Sequence, residues 1–119
     1  MQLGMIGLGR MGANMVRRLM RGGHKCVVWD QNHANVEQLA RDGAAGGLTL
    51  DDFLKMLTPP RAVWLMVPAG AVDATLAQLS ASMESGDIII DGGNSYYIDD
   101  IRRAKELAAT GLHYVDVGT

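Results

Sequence analysis

Short continuous apolar runs alternate along the chain with segments of helical spacing. The first run, QLGMIG, ends at Gly7. Met11, Met15, Val16, Leu19 and Met20 then repeat every three to four positions, which predicts a helix over 11–20. Gly22 and Gly23 end it, as glycine past a helix terminus does. Further strands are expected at Lys25–Asp30, near Ala44-Ala45, and at Ala62–Val67, Asp87–Asp91 and His113–Val117. Helices are expected at Val36–Arg41, Asp52–Leu57, Val72–Met83 and Asp99–Ala109, stopped by Gly43, Pro59-Pro60, Gly86 and Gly111. Thr49 opens T-L-D-D, a hydroxyl followed by an acid three residues on, which marks a helix start.

Strands that are apolar throughout are buried on both faces, which implies a parallel sheet. Alternating strands and helices then predict a doubly wound α/β fold, mainly parallel, with helices on both faces and right-handed crossovers. In such sheets ligands bind beyond the carboxyl ends of the strands. The residues at those ends are therefore the ones to read for chemistry.

The first strand runs into GLGRMG, with Gly7, Gly9 and Gly12 in G-x-G-x-x-G spacing. Alone the pattern is weak, but between a strand and a helix it becomes a dinucleotide fingerprint. Gly7 permits the tight turn, Gly9 lets a pyrophosphate approach the backbone, and Gly12 allows close helix packing. Free N–H groups at the helix start, carried by the Leu8, Arg10 and Met11 region, face the anion. Arg10 either reaches an anionic ligand or points to water. Asp30 follows the turn by about 20 residues, at the end of the second strand, where an acid accepts hydrogen bonds from the adenosine ribose. It would repel a 2′-phosphate, and its neighbours Gln31 and Asn32 bring no cation to compensate. This favours NAD over NADP; the competing role for Asp30 is a turn or cap residue. The fourth strand ends in VPAG, where Val67, Pro68 and Ala69 offer low-polarity backbone to a ring or ribose. The fifth ends in DGGNS. There Gly92 and Gly93 clear space, and Asn94 offers both donors and an acceptor to a carboxamide or substrate hydroxyl. Ser95 is the expected cap of the next helix.

Composition narrows the picture. The 119 residues amount to one domain, 48% hydrophobic and 20% charged, as in ordinary globular proteins. A net charge of -2 with scattered basic residues argues against a nucleic-acid surface. Arg17, Arg18 and Arg21 read as a solvated helix face. The one cysteine, Cys26, sits between apolar residues as a core position, and no metal-ligand spacing of Cys or His exists. No apolar run approaches the roughly 20 residues of a membrane span, and no signal-peptide pattern opens the chain, so a cytoplasmic location is expected.

The stretches MQLGMIGLGRMGANMVRRL, VWLMVPAG, GDIIIDGGNSYYIDDIRRA and YVDVGT together resemble 6-phosphogluconate dehydrogenase, in particular its shorter bacterial form. The resemblance extends over essentially the whole chain and is most specific at DGGNSYY. It implies a Rossmann-type domain of an enzyme that oxidises 6-phosphogluconate at C3, transfers hydride to the nicotinamide, and releases CO₂ to give ribulose 5-phosphate without a metal. On the family pattern, Gly7 to Gly12 form the dinucleotide turn, Val67, Pro68 and Ala69 line the cofactor, and Asn94 contacts both nicotinamide and substrate. Asp30-Gln31-Asn32 departs from the Asn-Arg-Thr of NADP-specific long forms. The family's Ser-Gly-Gly loop is expected directly after Thr119. Its catalytic lysine and glutamate and its helical, dimer-forming domain are also expected downstream. The expectation is one dinucleotide-binding domain over 1–119 that binds cofactor without turnover, from a full-length homo-oligomer. Two other readings stand beside it: the cofactor domain of a β-hydroxyacid dehydrogenase such as 3-hydroxyisobutyrate dehydrogenase, and a free-standing NAD-binding module. Against the first, this chain lacks the D-x-S-T pattern typical of those relatives at the fifth strand.

Overall fold

The computed structural model describes residues 1–93 and 97–117. In chain order the elements are β1 (Gln2–Ile6), α1 (Arg10–Arg21), β2 (Lys25–Trp29), α2 (His33–Arg41), β3 (Ala45–Gly46) and α3 (Leu50–Lys55). There follow β4 (Ala62–Leu65), a 3₁₀ turn (Ala69–Ala71), α4 (Val72–Ser80), β5 (Ile88–Asp91), α5 (Tyr97–Ala108) and β6 (His113–Asp116). The sheet order is β3-β2-β1-β4-β5-β6, and every neighbouring pair is parallel. This is the doubly wound order expected from the alternating pattern. Its strand order reverses between β1 and β4, which opens a crevice at their carboxyl ends.

Strand residues alternate between two cores because successive side chains point to opposite faces. Met5, Cys26 and Val28 pack with Val16 of α1 and with Val36 and Leu39 of α2. Ile6, Val27, Val63, Leu65 and Ile89 face the other way. They meet Phe53 and Leu54 of α3, Leu76 and Leu79 of α4, and Leu107 of α5. Cys26 is buried, as expected, and burial pushes its thiol up.

Helix boundaries differ from the periodic pattern where polar side chains set them. α2 starts at His33 rather than Val36 because the Asn32 side chain accepts from the Ala34 N–H at 3.1 Å. α3 starts at Leu50 rather than Asp52 because the Thr49 hydroxyl accepts from the Asp52 N–H at 3.1 Å. α4 stops at Ser80 rather than Met83, where the Ser82 and Met83 N–H groups both converge on the Leu79 carbonyl. VPAG is not an open loop: Ala69–Ala71 winds into the 3₁₀ turn that leads to α4.

Away from the crevice, at the sheet's opposite edge, Asp87 is fully buried. Its carboxylate accepts from the Arg61 N–H at 2.6 Å, the Glu84 N–H at 2.8 Å and the Arg61 guanidinium at 3.1 Å. Burial raises its pKa, but these donors outweigh burial and hold the carboxyl below its ordinary value. This cluster ties α3, β4 and β5 together.

Candidate functional site

A cleft of about 720 Å³ lies at the carboxyl ends of β1, β2, β4 and β5. That volume is ample for a nucleotide ligand. Its floor is the turn between β1 and α1. Gly7 takes φ of 97°, and a Cβ there would stand 2.5 Å from the Met66 carbonyl oxygen. The turn is held by the Gly7 N–H donating to the Trp29 carbonyl at 3.1 Å. A Cβ on Gly12 would collide with the Gly7 carbonyl oxygen, so α1 can leave the turn this steeply only with glycine there. Gly9 is different. Nothing lies within 4 Å of where its Cβ would be, so no neighbouring protein atom accounts for a glycine at that position.

The N-termini of the helices make the contrast sharper. α2 is capped by Asn32, and α3 by Thr49 with Asp51 and Asp52 in its first turn. α1 starts at Gly9 with no side-chain cap and no acid in its first turn. Its leading N–H groups and the positive end of its dipole therefore point into the cleft uncompensated. That is the donor set an anionic ligand requires.

Asp30 stands at the rim where β2 ends. One carboxylate oxygen accepts from the Leu8 N–H at 2.6 Å and the other from the Asn32 N–H at 2.8 Å. The carboxylate thus pins the glycine turn to the start of α2, the structural role its position also allows. A carboxylate has about four lone-pair sites, so each oxygen keeps capacity for a hydroxyl donor. Opposite it, Val67, Pro68 and Ala69 form the low-polarity wall, continued by Ala71 and by Thr75 of α4. The Thr75 hydroxyl donates to the Ala71 carbonyl at 2.8 Å.

Of the residues singled out from the sequence, Gly7, Gly9, Met11, Asp30, Gln31, Val67, Pro68 and Ala69 line this one cleft. Leu8 is buried beneath it and contributes its N–H to Asp30, while Gly12 lies under the turn. Asn32 is the α2 cap. Arg10 lies outside the cleft, in a groove along α1 with Asn14, Arg18 and Arg21. Asn94 and Ser95 fall outside the described residues. The sequence reading did not pick out Trp29, Met66 and Thr75, which also line the cleft. Trp29 and Met66 follow from strand alternation at the ends of β2 and β4. Thr75 lines the cleft from α4, which follows directly on the 3₁₀ turn. A Cβ on Gly92 would run into the Trp64 indole nitrogen, so this glycine also has a packing reason to be there.

A family model described as the NAD binding domain of 6-phosphogluconate dehydrogenase matches residues 2–119. The chain is 44% identical over its whole length to a Bacillus subtilis (strain 168) protein whose 6-phosphogluconate dehydrogenase name is provisional, and covers 40% of that protein. It is 42% identical over 120 residues to the NAD⁺-dependent, decarboxylating 6-phosphogluconate dehydrogenase of Haloferax volcanii, covering all of this chain and 39% of that one. Among solved structures, the Plasmodium falciparum 6-phosphogluconate dehydrogenase, described with its cofactor NADP⁺, superposes with a TM-score of 0.91. Its sequence is 30% identical, over 99% of this chain and 27% of that one. The chain therefore spans well under half the length of these relatives, which include NAD⁺- and NADP⁺-dependent forms. No helix among the described residues is long and apolar enough to cross a membrane.

Proposed function

The chain belongs to the family of the NAD binding domain of 6-phosphogluconate dehydrogenase, and from that premise we propose that its cleft holds the nicotinamide dinucleotide of a decarboxylating 6-phosphogluconate dehydrogenase. The observation that carries this reading is the start of α1, with neither a side-chain cap nor an acid, next to the unobstructed Gly9. The N–H groups following Gly9 would hold the cofactor's pyrophosphate there. The ribose next to adenine meets Asp30, with Gln31 and Asn32 alongside. Val67, Pro68 and Ala69 press on the middle of the cofactor, and Gly92 and Gly93 give clearance at the far end. Asn94 supplies the polar contact to nicotinamide and substrate. Arg10 lies outside the cleft, in the groove along α1.

When bound, the cofactor accepts a hydride from C3 of the sugar acid. This chain's residues orient it and exclude water with an apolar wall. Proton transfer falls to groups outside these elements. Lys25 begins β2, and Lys55 and Lys105 lie at the ends of α3 and α5, all at the edge of the sheet away from the cleft. We therefore read residues 1–119 as one cofactor-binding domain, working in the cytoplasm with a catalytic lysine and glutamate supplied by a longer, oligomeric protein.

Asp30 favours NAD, because its carboxylate accepts ribose hydroxyls and repels a 2′-phosphate. Calorimetric titration of Asp30→Ala with both cofactors tests this. NAD affinity should fall about tenfold or more, roughly the worth of a charge-assisted hydrogen bond, and the gap between NAD and NADP should narrow. Unchanged NAD affinity would remove the carboxylate from the ribose.

A further inference from the structure

On the α5 face of the sheet, behind the cleft, the register sets two acids side by side. Asp91 at the end of β5 pairs with Asp116 at the end of β6. Neighbouring positions in parallel strands project to the same face. Asp100 of α5 adds a third carboxylate, and one oxygen from each of the three lies within 4.8 Å of the other two. Asp91 is fully buried and Asp100 is 5% exposed, while Asp116 is exposed. The facing cation is Arg103 of α5, 3.1 Å from Asp100 Oδ1, and it is shared with Asp73 of α4 at 2.8 Å. Arg102 turns away to Asp73 and Glu106.

One hydroxyl bridges two of these acids. The Tyr114 hydroxyl of β6 is 2.8 Å from Asp91 Oδ2 and 2.8 Å from Asp100 Oδ1. It has one hydrogen to donate. It can satisfy only one of the two oxygens, and Asp100 Oδ1 also receives the Arg103 guanidinium at 3.1 Å. Independently, Asp100 Oδ2 is buried and has no hydrogen-bond partner among the described residues. Such an atom is costly unless something supplies a donor. An Asp116 carboxylate oxygen lies within 4.8 Å of one from Asp100, and a hydrogen bond between the two needs one of them to carry a proton. Burial and the charges of Asp100 and Asp91 hold the Asp116 carboxyl above its ordinary value. Burial and the same two carboxylates raise Tyr114 far above its own, so its hydroxyl stays a donor throughout.

We propose that Asp91, Asp100, Asp116 and Tyr114 form a proton-holding site, in which one proton shared between Asp100 and Asp116 locks the ends of β5 and β6 to α5. The lock reaches the cleft, because Asp91 Oδ1 accepts the Gly93 N–H at 2.9 Å and Gly93 lines the cleft wall. Its effect on cofactor rests on the cleft assignment above; the proton itself does not. Because the folded-state pKa of Asp116 is raised, the stabilisation is complete below the unfolded value. It is lost as pH rises through the folded value.

Carboxyl carbon NMR of the chain labelled at aspartate, from pH 3 to 8 without cofactor, tests the proposal directly. The Asp116 carboxyl should titrate above the ordinary aspartate value of about 3.9. The Gly93 amide should shift with the same midpoint. In Asp116→Asn the amide is a permanent donor to Asp100, so the Gly93 amide should become insensitive to pH in that range. The unfolding midpoint should likewise stop falling where the wild-type Asp116 carboxyl titrates. An Asp116 titration at the ordinary value, or a Gly93 amide that ignores it in the wild-type chain, overturns the proposal whether or not the variant folds. Saturable carboxyl shifts on adding Mg²⁺ would overturn it too, by making the cluster a cation site.

Discussion

Gly9 and Gly12 belong to one motif, yet different constraints hold them. Gly12 is fixed by the protein itself, since a Cβ there meets the Gly7 carbonyl. Gly9 has open space where a side chain would go. Gly12→Ala should therefore cost about 1–3 kcal/mol of stability, as overpacking does, read from urea unfolding. Gly9→Ala should leave the unfolding midpoint nearly unchanged, within about 0.5 kcal/mol, while weakening NAD binding at least tenfold by calorimetry. Equal effects of the two on stability would mean Gly9 is structural. The motif was legible in the sequence because spacing and context define it. The double duty of Asp30 was not, since its bond to the Leu8 N–H depends on where the turn folds back.

At the scale of elements, the apolar runs announced β1, β2, β4 and β5 because strands buried on both faces have no polar positions to blur them. Helix starts were legible at Thr49, whose T-L-D-D signature is the observed cap, and less so at Asn32, which caps from outside the apolar stripe. Thr49→Ala should cost about 1 kcal/mol, and Phe53→Ala, which empties a fully buried site, about 3–5 kcal/mol. Both are measurable by denaturant unfolding. The Asp87 cluster gives a pH signature of the opposite sign to that of Asp116. Its lowered pKa means that its stabilisation is present above the unfolded value of about 3.9 and is lost as pH falls through the folded value. Asp87→Asn should destabilise the chain at pH 7, by about 3–5 kcal/mol if Arg61 is left without its buried partner. It should also flatten the loss of stability below pH 4. The three-acid cluster was invisible in the sequence. Asp91, Asp100 and Asp116 share no local pattern, and only the β5–β6 register and the placement of α5 bring them together.

For the molecule as a whole, the order β3-β2-β1-β4-β5-β6 explains how separated loops make one cleft. The strand that carries the glycine turn is central. Asp30 comes from its neighbour on one side, and the Val67–Ala69 wall from its neighbour on the other. Alternation of strands and helices in the sequence implied a doubly wound parallel sheet, and with it the edge where a ligand belongs. It did not imply the 3₁₀ turn ahead of α4, or that Thr75 of α4 lines the cleft. The central claim is that this cleft is a dinucleotide site. Titrating NAD into the ¹⁵N-labelled chain and following its amide resonances tests that claim most directly. The account predicts saturable shifts at Gly7, Gly9, Asp30, Val67 and Gly93, with NADP producing the same pattern at higher concentration. No saturable shift with either cofactor, or shifts confined to the Asn14–Arg21 groove along α1, would contradict it.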